Sequence, residues 1–149
     1  MDRLHDSTLR LAGRAAVAAA VLALAAVTAA QTPRTIWDGI YTEEQAARGA
    51  TLYAARCAQC HGDGLGGQES APALTGTTFY SNWEGETLES LFERMRSSMP
   101  ADKPGSLSRA QNADVLAHIL KVGGYPAGPS PVDGQAGALA PITIRMYKP

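Results

Sequence analysis

Two cysteines and a histidine fall within five consecutive positions of this 149-residue chain, in the order Cys57-Ala58-Gln59-Cys60-His61. Thiols three positions apart can reach the two vinyl groups on one edge of a porphyrin and form thioethers. An imidazole at the next position then falls under the iron as its proximal ligand. This spacing is a motif of covalent haem attachment. It predicts one haem c, an iron cofactor, held by Cys57, Cys60 and His61, with His61 as an iron ligand.

Three other uses of the cysteine pair compete with haem attachment. A thioredoxin-like redox pair follows a strand and begins a helix, whereas this motif ends a predicted helix and precedes the glycine-rich loop 62–67. A structural zinc site needs four ligands, and the chain offers only two cysteines and, besides His61, the histidines His5 and His118. A local disulfide between the two cysteines is the third alternative, since disulfides form in exported chains. We favour haem over all three.

A second iron ligand is expected from a methionine, since a thioether is a common sixth ligand in electron carriers. Met99 is the favoured candidate because it follows a predicted helix and because Pro100 restricts it to an extended backbone. Met95 lies on the apolar face of that helix, where core packing is the simpler explanation, and Met146 lies near the end of the chain. His118 is the alternative that would give a bis-histidine site.

Two further positions are candidates for contact with the cofactor. A metal-bound histidine generally donates its other ring N–H to a fixed acceptor, and the carbonyl of Pro72 is a candidate for that acceptor. The alternative is a simple turn proline. Trp83 or Tyr80 could donate a hydrogen bond to a haem propionate, and the alternative for both is an aromatic core cluster.

Helical patterns surround the motif. Thr42 and Gln45 form a predicted capping box that begins a helix ending near Arg56. A second capping box, Ser108 with Gln111, begins the last helix, which the glycines at 123–124 end. A third helix is predicted over about 87–96, with apolar residues at helical spacing.

The first thirty residues have the three-part pattern of a secretory signal. Arg3, Arg10 and Arg14 precede the apolar run 15–26, and small residues follow it. We expect cleavage after residue 29 or 30, with a retained anchor as the alternative. No other membrane span is expected in the mature chain. Either way the mature chain lies outside the cytoplasm, in the periplasm or in another exported location.

The remainder divides into three parts by composition. Residues 31–41 are an irregular lead-in, residues 42–124 a single domain, and residues 125–149 an extended tail rich in proline and glycine. Ile142, Ile144 and Tyr147 suggest that part of this tail docks in a groove or at a sheet edge. The formal net charge is −1, with no basic stripe, so a nucleic-acid partner is not expected.

Taken together, these features resemble class I c-type cytochromes with one haem. The resemblance covers 42–124 and rests on Gly49 and Tyr53 in the first helix, the attachment motif, Pro72-Ala73-Leu74, Trp83, Met99-Pro100 and the last helix. It implies an all-α fold with three to five helices around the haem, in which the first and last helices cross at Gly49. One position departs from the family pattern, because His118 stands where the last helix usually carries an aromatic residue.

The resemblance implies an electron-transfer protein rather than an enzyme. Within the family, the stretches 99–107 and 124–128 resemble small cytochromes that accompany periplasmic quinoprotein dehydrogenases. Such a protein accepts electrons from a dehydrogenase and passes them towards a terminal oxidase. A peroxidase-like haem enzyme, a haem sensor and a subunit of a larger dehydrogenase complex remain alternatives.

Overall fold

The computed structural model describes residues 33–69 and 71–149. Within these ranges five helices and two short strands follow in the order β1 (Arg34–Thr35), α1 (Glu43–Arg56), α2 (Ala58–His61), α3 (Gly76–Trp83), α4 (Leu88–Ser98), α5 (Arg109–Val122) and β2 (Ile142–Thr143). The predicted all-α class is confirmed. The signal segment predicted for residues 1–30 lies outside the described residues.

Helix α1 begins at the predicted position, but only half of its capping box forms. The Thr42 hydroxyl accepts a hydrogen bond from the Gln45 backbone N–H, at 3.2 Å. The Gln45 side chain does not turn back to Thr42. Its amide is buried and instead pairs with the main chain of Val132, donating to the carbonyl at 3.2 Å and accepting from the N–H at 2.6 Å. The box prediction was wrong in this half, because the distant Val132 offers the amide both of its partners.

The crossing of α1 and α5 brings the two backbones into direct contact. A Cβ at Gly49 would lie 1.8 Å from the carbonyl oxygen of Asp114, so only glycine fits there. Beside this contact the guanidinium of Arg48 binds the carboxylate of Asp114 through two hydrogen bonds, at 3.0 and 2.9 Å. The predicted crossing at Gly49 is therefore present.

Helix α5 begins with a complete capping box and separates two apolar clusters. Ser108 and Gln111 exchange both hydrogen bonds, as predicted. Leu116 and Leu120 face the larger cluster, whereas Val115 and Ile119 face the smaller one. The larger cluster, here called the main core, comprises Ile36, Ile40, Tyr41, Ala46, Phe79, Leu88, Leu91, Phe92, Ala113, Leu116, Ala117, Leu120, Tyr125, Val132, Leu139, Ile142 and Ile144.

Two helices were not predicted from the sequence pattern. Helix α2 is a single turn, and α3 contains Thr77, Thr78 and Asn82, which have low helix propensity. The N-cap of α3 makes no side-chain hydrogen bond. Burial of Phe79 in the main core stabilises this helix, which is a tertiary effect that local propensity does not report.

The segment 125–149 runs back along the domain. Strand β2 pairs in parallel with β1, Arg34 opposite Ile142. Ile142 and Ile144 are buried at this pairing, as their alternation predicts, whereas Tyr147 remains 78% exposed. The carboxylate of Glu89 in α4 accepts hydrogen bonds from the backbone N–H groups of residues 137 and 139, at 3.0 and 3.2 Å. The segment 125–149 therefore contacts both β1, near the beginning of the described chain, and helix α4.

Across residues 33–69 and 71–149, no helix is both long enough and apolar enough to cross a membrane.

We expect Gly49→Ala to destabilise the protein by about 3 kcal/mol or more, because the added methyl overlaps the α5 backbone and the helices must separate. Chemical denaturation of the purified protein measures this loss. Gly64→Ala is the matched control, since nothing lies within 4 Å of a Cβ built there. Equal stability of the two variants would contradict a backbone contact at the crossing.

Candidate haem-attachment site

A single helical turn carries the three residues of the motif. Cys57 ends α1, where its N–H donates to the Tyr53 carbonyl at 2.8 Å. The N–H groups of Cys60 and His61 both donate to the Cys57 carbonyl, at 3.1 and 2.9 Å, so the turn is compact. Gly62 ends it with a φ of 77°, in the left-handed region that favours glycine. The motif thus holds two thiols and one imidazole on a rigid turn.

The two cysteines of the motif differ in their exposure. Cys57 is half-buried and Cys60 is exposed. Burial raises the pKa of the Cys57 thiol. Both sulfurs are therefore available for thioether bonds, and the local disulfide considered above is not formed.

The structure brings His61 and Pro72 together. His61 is only 8% exposed, and its Nδ1 lies 2.8 Å from the carbonyl oxygen of Pro72. A proline carbonyl can only accept, so Nδ1 is the protonated ring nitrogen in this contact. Nε2 is then the nitrogen with a lone pair for a metal. A histidine held in one tautomer and one orientation is what an axial ligand needs.

The loop between His61 and Pro72 is tied back on itself. The Gly67 N–H donates to the His61 carbonyl at 2.9 Å, and the Leu74 N–H donates to the Leu65 carbonyl at 2.8 Å. A Cβ at Gly67 would lie 2.6 Å from the backbone nitrogen of Ala73, so the two sides of the loop touch. These contacts fold the loop so that the Pro72 carbonyl lies against the His61 ring.

An apolar wall adjoins the turn. We call it the attachment-side cluster. Its buried members are Tyr53, Ala58, Leu65, Val115 and Ile119, and half-buried Leu52, Cys57, Leu74 and Met95 pack against them. Apolar side chains from α1, α5 and the loop therefore converge where the thiols and His61 lie. Two free thiols, a buried imidazole with one nitrogen engaged, and this wall together fit a covalently held haem.

The methionine candidates differ in their surroundings. Met99 is half-buried at the C-cap of α4, with its N–H on the Met95 carbonyl at 2.9 Å. Its backbone is extended, with φ −120° and ψ 153°, as expected before Pro100. Met95 packs against both the main core and the attachment-side cluster. Met146 lies in the last segment, and its N–H donates to Glu84.

The aromatic candidates lie against the main core. Trp83 and Tyr80 are both half-buried there. The Tyr80 hydroxyl accepts a hydrogen bond from the Tyr125 hydroxyl at 2.6 Å, and its ring meets Phe79 edge-on at 5.8 Å. These contacts are those of an aromatic core cluster.

His118 lies at the crossing of α1 and α5, against the ring of Tyr53. Its ring centroid lies 5.2 Å from that of Tyr53, at an interplanar angle of 49°. An imidazole therefore takes the place of the aromatic ring usual at this position. Burial, together with the nearby Lys121 charge, lowers the pKa of His118. Within the described ranges, no three His, Cys, Asp or Glu side chains form a group that could hold a metal ion by themselves.

The hydroxyl of Tyr53 is a contact that sequence reasoning missed. It donates to the Gly62 carbonyl at 2.7 Å, directly after His61. Helical spacing placed the ring of Tyr53 on the buried face of α1, but no sequence signal identified the partner of its hydroxyl. Burial raises the pKa of Tyr53 to about 12, so the hydroxyl stays a donor.

A separate cavity of about 790 Å³ lies between α1, α5 and the last segment, away from the attachment turn. Arg48 and Arg109 line it, but their charges are already paired with Asp114 and Glu93. None of the three motif residues lines this cavity, so we do not assign it to the haem.

The attachment turn, the buried histidine and the all-α fold define a c-type cytochrome. Residues 44–119 match the family model described as cytochrome c oxidase, cbb3-type, subunit III, and the chain belongs to this family. It therefore binds haem c covalently and is an electron-transfer protein rather than an enzyme.

Two known proteins are similar to parts of this chain. The cbb3-type cytochrome c oxidase subunit CcoP of Rhodobacter capsulatus is 30% identical over an alignment of 95 residues, and the match covers 53% of this chain and 31% of that protein. The chain thus spans about a third of the length of this curated relative. The solved structure of the sulfane dehydrogenase SoxCD from Paracoccus pantotrophus matches with a TM-score of 0.48 and 27% identity, over 59% of this chain and 52% of that one.

We expect His118→Phe to flatten the dependence of stability on pH. The folded-state pKa of His118 lies below its usual value near 6.5, so the unfolded chain takes up more protons in acid. This contribution to stability is present above about pH 6.5 and is lost as the pH falls through and below it. Denaturation of wild type and variant between about pH 8 and pH 5 measures the difference. Parallel pH profiles for the two proteins would contradict it.

Proposed function

We propose that the protein is an exported, periplasmic one-electron carrier whose single haem c has His61 and Met99 as axial ligands. Cys57 and Cys60 would form the two thioethers. The observation that carries this proposal is the contact between His61 Nδ1 and the Pro72 carbonyl. His61 lies on the same helical turn as both thiols. It supports an oriented proximal ligand rather than a histidine that merely packs.

The proposed roles of the residues follow from their places in the fold. When bound, the haem supplies an iron that changes between Fe(III) and Fe(II). His61 would hold the iron through Nε2, while the Pro72 carbonyl fixes the ring through Nδ1. Met99 supplies a soft thioether that favours the reduced state relative to a second histidine. Val115, Ile119 and the other members of the attachment-side cluster exclude water. With both His61 and Met99 holding the iron in either state, the structural change on electron transfer would be small.

Access for a partner is provided by the turn and its loop. Cys60 is exposed, as are Gly64 and Gly66, and nothing lies within 4 Å of a Cβ built at either glycine. Small exposed residues at this edge let a redox partner approach closely. The thioether edge is therefore the proposed route for the electron.

For partners, we propose a periplasmic dehydrogenase as donor and a terminal oxidase as acceptor. The family description and the relative CcoP, which is named as an oxidase subunit, support the oxidase as acceptor. A quinoprotein dehydrogenase as donor follows from the resemblance of residues 99–107 and 124–128 to cytochromes of such enzymes. Stopped-flow reduction by candidate dehydrogenases tests the donor, and oxidation by oxidase-containing membranes tests the acceptor.

A second candidate function is that of a cytochrome bound permanently to an oxidase. The name of the relative CcoP favours it. The two arrangements differ in what is isolated: a free carrier elutes alone at the size of one chain, whereas a subunit elutes with the oxidase after mild detergent extraction.

The pyridine haemochrome spectrum tests haem attachment directly. We expect a bis-thioether spectrum and one haem per chain after expression with export. Cys60→Ala should give the shifted spectrum of a single thioether, because Cys57 alone then holds the porphyrin. Haem lost on acid–acetone extraction of the wild type would sink the proposal.

We expect Met99→Ala to abolish the far-red charge-transfer band that marks methionine sulfur on ferric iron, and to lower the midpoint potential. Met95→Leu is the matched control, since Met95 is also half-buried but packs against the two clusters. This control should keep both the band and the potential. If Met99→Ala kept the band, Met99 would not be the ligand.

A further inference from the structure

The Tyr53 hydroxyl reaches from helix α1 to the loop that holds the proposed iron ligand. Tyr53 is only 2% exposed, and its hydroxyl donates to the Gly62 carbonyl at 2.7 Å. The same carbonyl accepts a second hydrogen bond from the Leu65 N–H, at 3.1 Å. Gly62 is the point where the chain turns sharply away from His61 with φ 77°. One side chain of α1 therefore fixes the first peptide of the loop.

From Gly62 the contacts continue without a break to Pro72. Leu65, fully buried against Tyr53 in the attachment-side cluster, has a left-handed φ of 59° and accepts the Leu74 N–H at 2.8 Å. Gly67 touches the backbone of residues 71–73. Pro72 therefore lies where the backbone is held both by the close approach of Gly67 and by the hydrogen bond between Leu74 and Leu65. Its carbonyl is thus positioned by the loop and not by α2 itself.

We infer that Tyr53 is a positioning residue for His61. It holds the Gly62 peptide so that the loop returns the Pro72 carbonyl to the histidine Nδ1. This inference rests on the proposed function, in which His61 Nε2 binds the iron. A ring that packs at the helix crossing would serve stability alone, whereas the hydroxyl acts on the ligand through hydrogen bonds.

The expected consequence is electronic as well as structural. A hydrogen bond from Nδ1 to a fixed carbonyl raises the basicity of the coordinating nitrogen and favours the more highly charged ferric iron. Loss of the Tyr53 hydroxyl releases the loop and weakens that bond. The midpoint potential is then expected to rise.

Tyr53→Phe tests the inference, because it keeps the ring and removes only the hydroxyl. Two readouts apply to the holoprotein. The midpoint potential should rise, and the amide protons of Leu65 and Gly67 should exchange on the order of tenfold faster, as expected for the loss of one hydrogen bond that closes the loop.

Tyr41→Phe is the matched control. Tyr41 is 1% exposed, and its hydroxyl donates to the Tyr125 carbonyl at 2.7 Å, but the residue belongs to the main core. We expect this control to lose comparable stability while the potential and the exchange at Leu65 and Gly67 stay as in wild type. If Tyr53→Phe behaves in the same way, Tyr53 is structural only and the inference is overturned.

A rescue completes the test. 4-Aminophenylalanine at position 53 keeps an N–H donor at the end of the ring and should restore the wild-type potential and exchange. If Tyr53→Phe yields no holoprotein, recovery of holoprotein with the wild-type potential by this residue supports the inference, and failure to recover it overturns the inference. Failure of the proposed function looks different, since the wild type itself would then lack covalent haem or the signature of axial histidine.

Discussion

The structure depends on the contact between two helix backbones at Gly49. Because no Cβ separates them, α1 and α5 approach until the Gly49 position meets the Asp114 carbonyl. Tyr53 lies one turn further along α1 on the same face, so the same crossing presses its ring against α5 beside His118. α1 ends one turn later at the attachment motif. The position of the thiols and of His61 thus depends on the steric fit at Gly49, about two turns of α1 before Cys57.

Two apolar clusters, which contact different faces of α5, have different roles in the domain. The main core includes Ile142 and Ile144 of the last segment, and Glu89 and Gln45 hold that segment through its backbone. The attachment-side cluster is smaller and includes residues of α1, α5 and the loop after His61. This division lets the larger cluster supply stability while the smaller one provides an apolar wall for the cofactor.

The loop after His61 illustrates how backbone groups orient a buried imidazole. Among the described residues, the imidazole is oriented by a backbone group rather than by a charged side chain. Its partner is the Pro72 carbonyl, at 2.8 Å, which backbone hydrogen bonds and the close approach at Gly67 bring into place. A neutral carbonyl fixes the tautomer without adding a charge to the site. The loop that brings Pro72 to His61 also contains the small, exposed residues Gly64 and Gly66.

Local chemistry in the sequence determined the attachment motif, the beginnings of α1 and α5 and the extended backbone at Met99, because each depends on residues within a few positions of one another. The His61–Pro72 pair was also predicted, since a histidine bound to a metal generally donates its other ring N–H to a fixed acceptor and Pro72 follows the loop after His61. Tertiary structure alone decided the partner of the Gln45 amide, the helical state of 76–83 and the hydrogen bond from Tyr53 to Gly62. In each case the partner or the stabilising core comes from a segment that local pattern does not identify. A buried polar group takes whichever partner the fold brings within reach, and only the packed chain specifies which one that is.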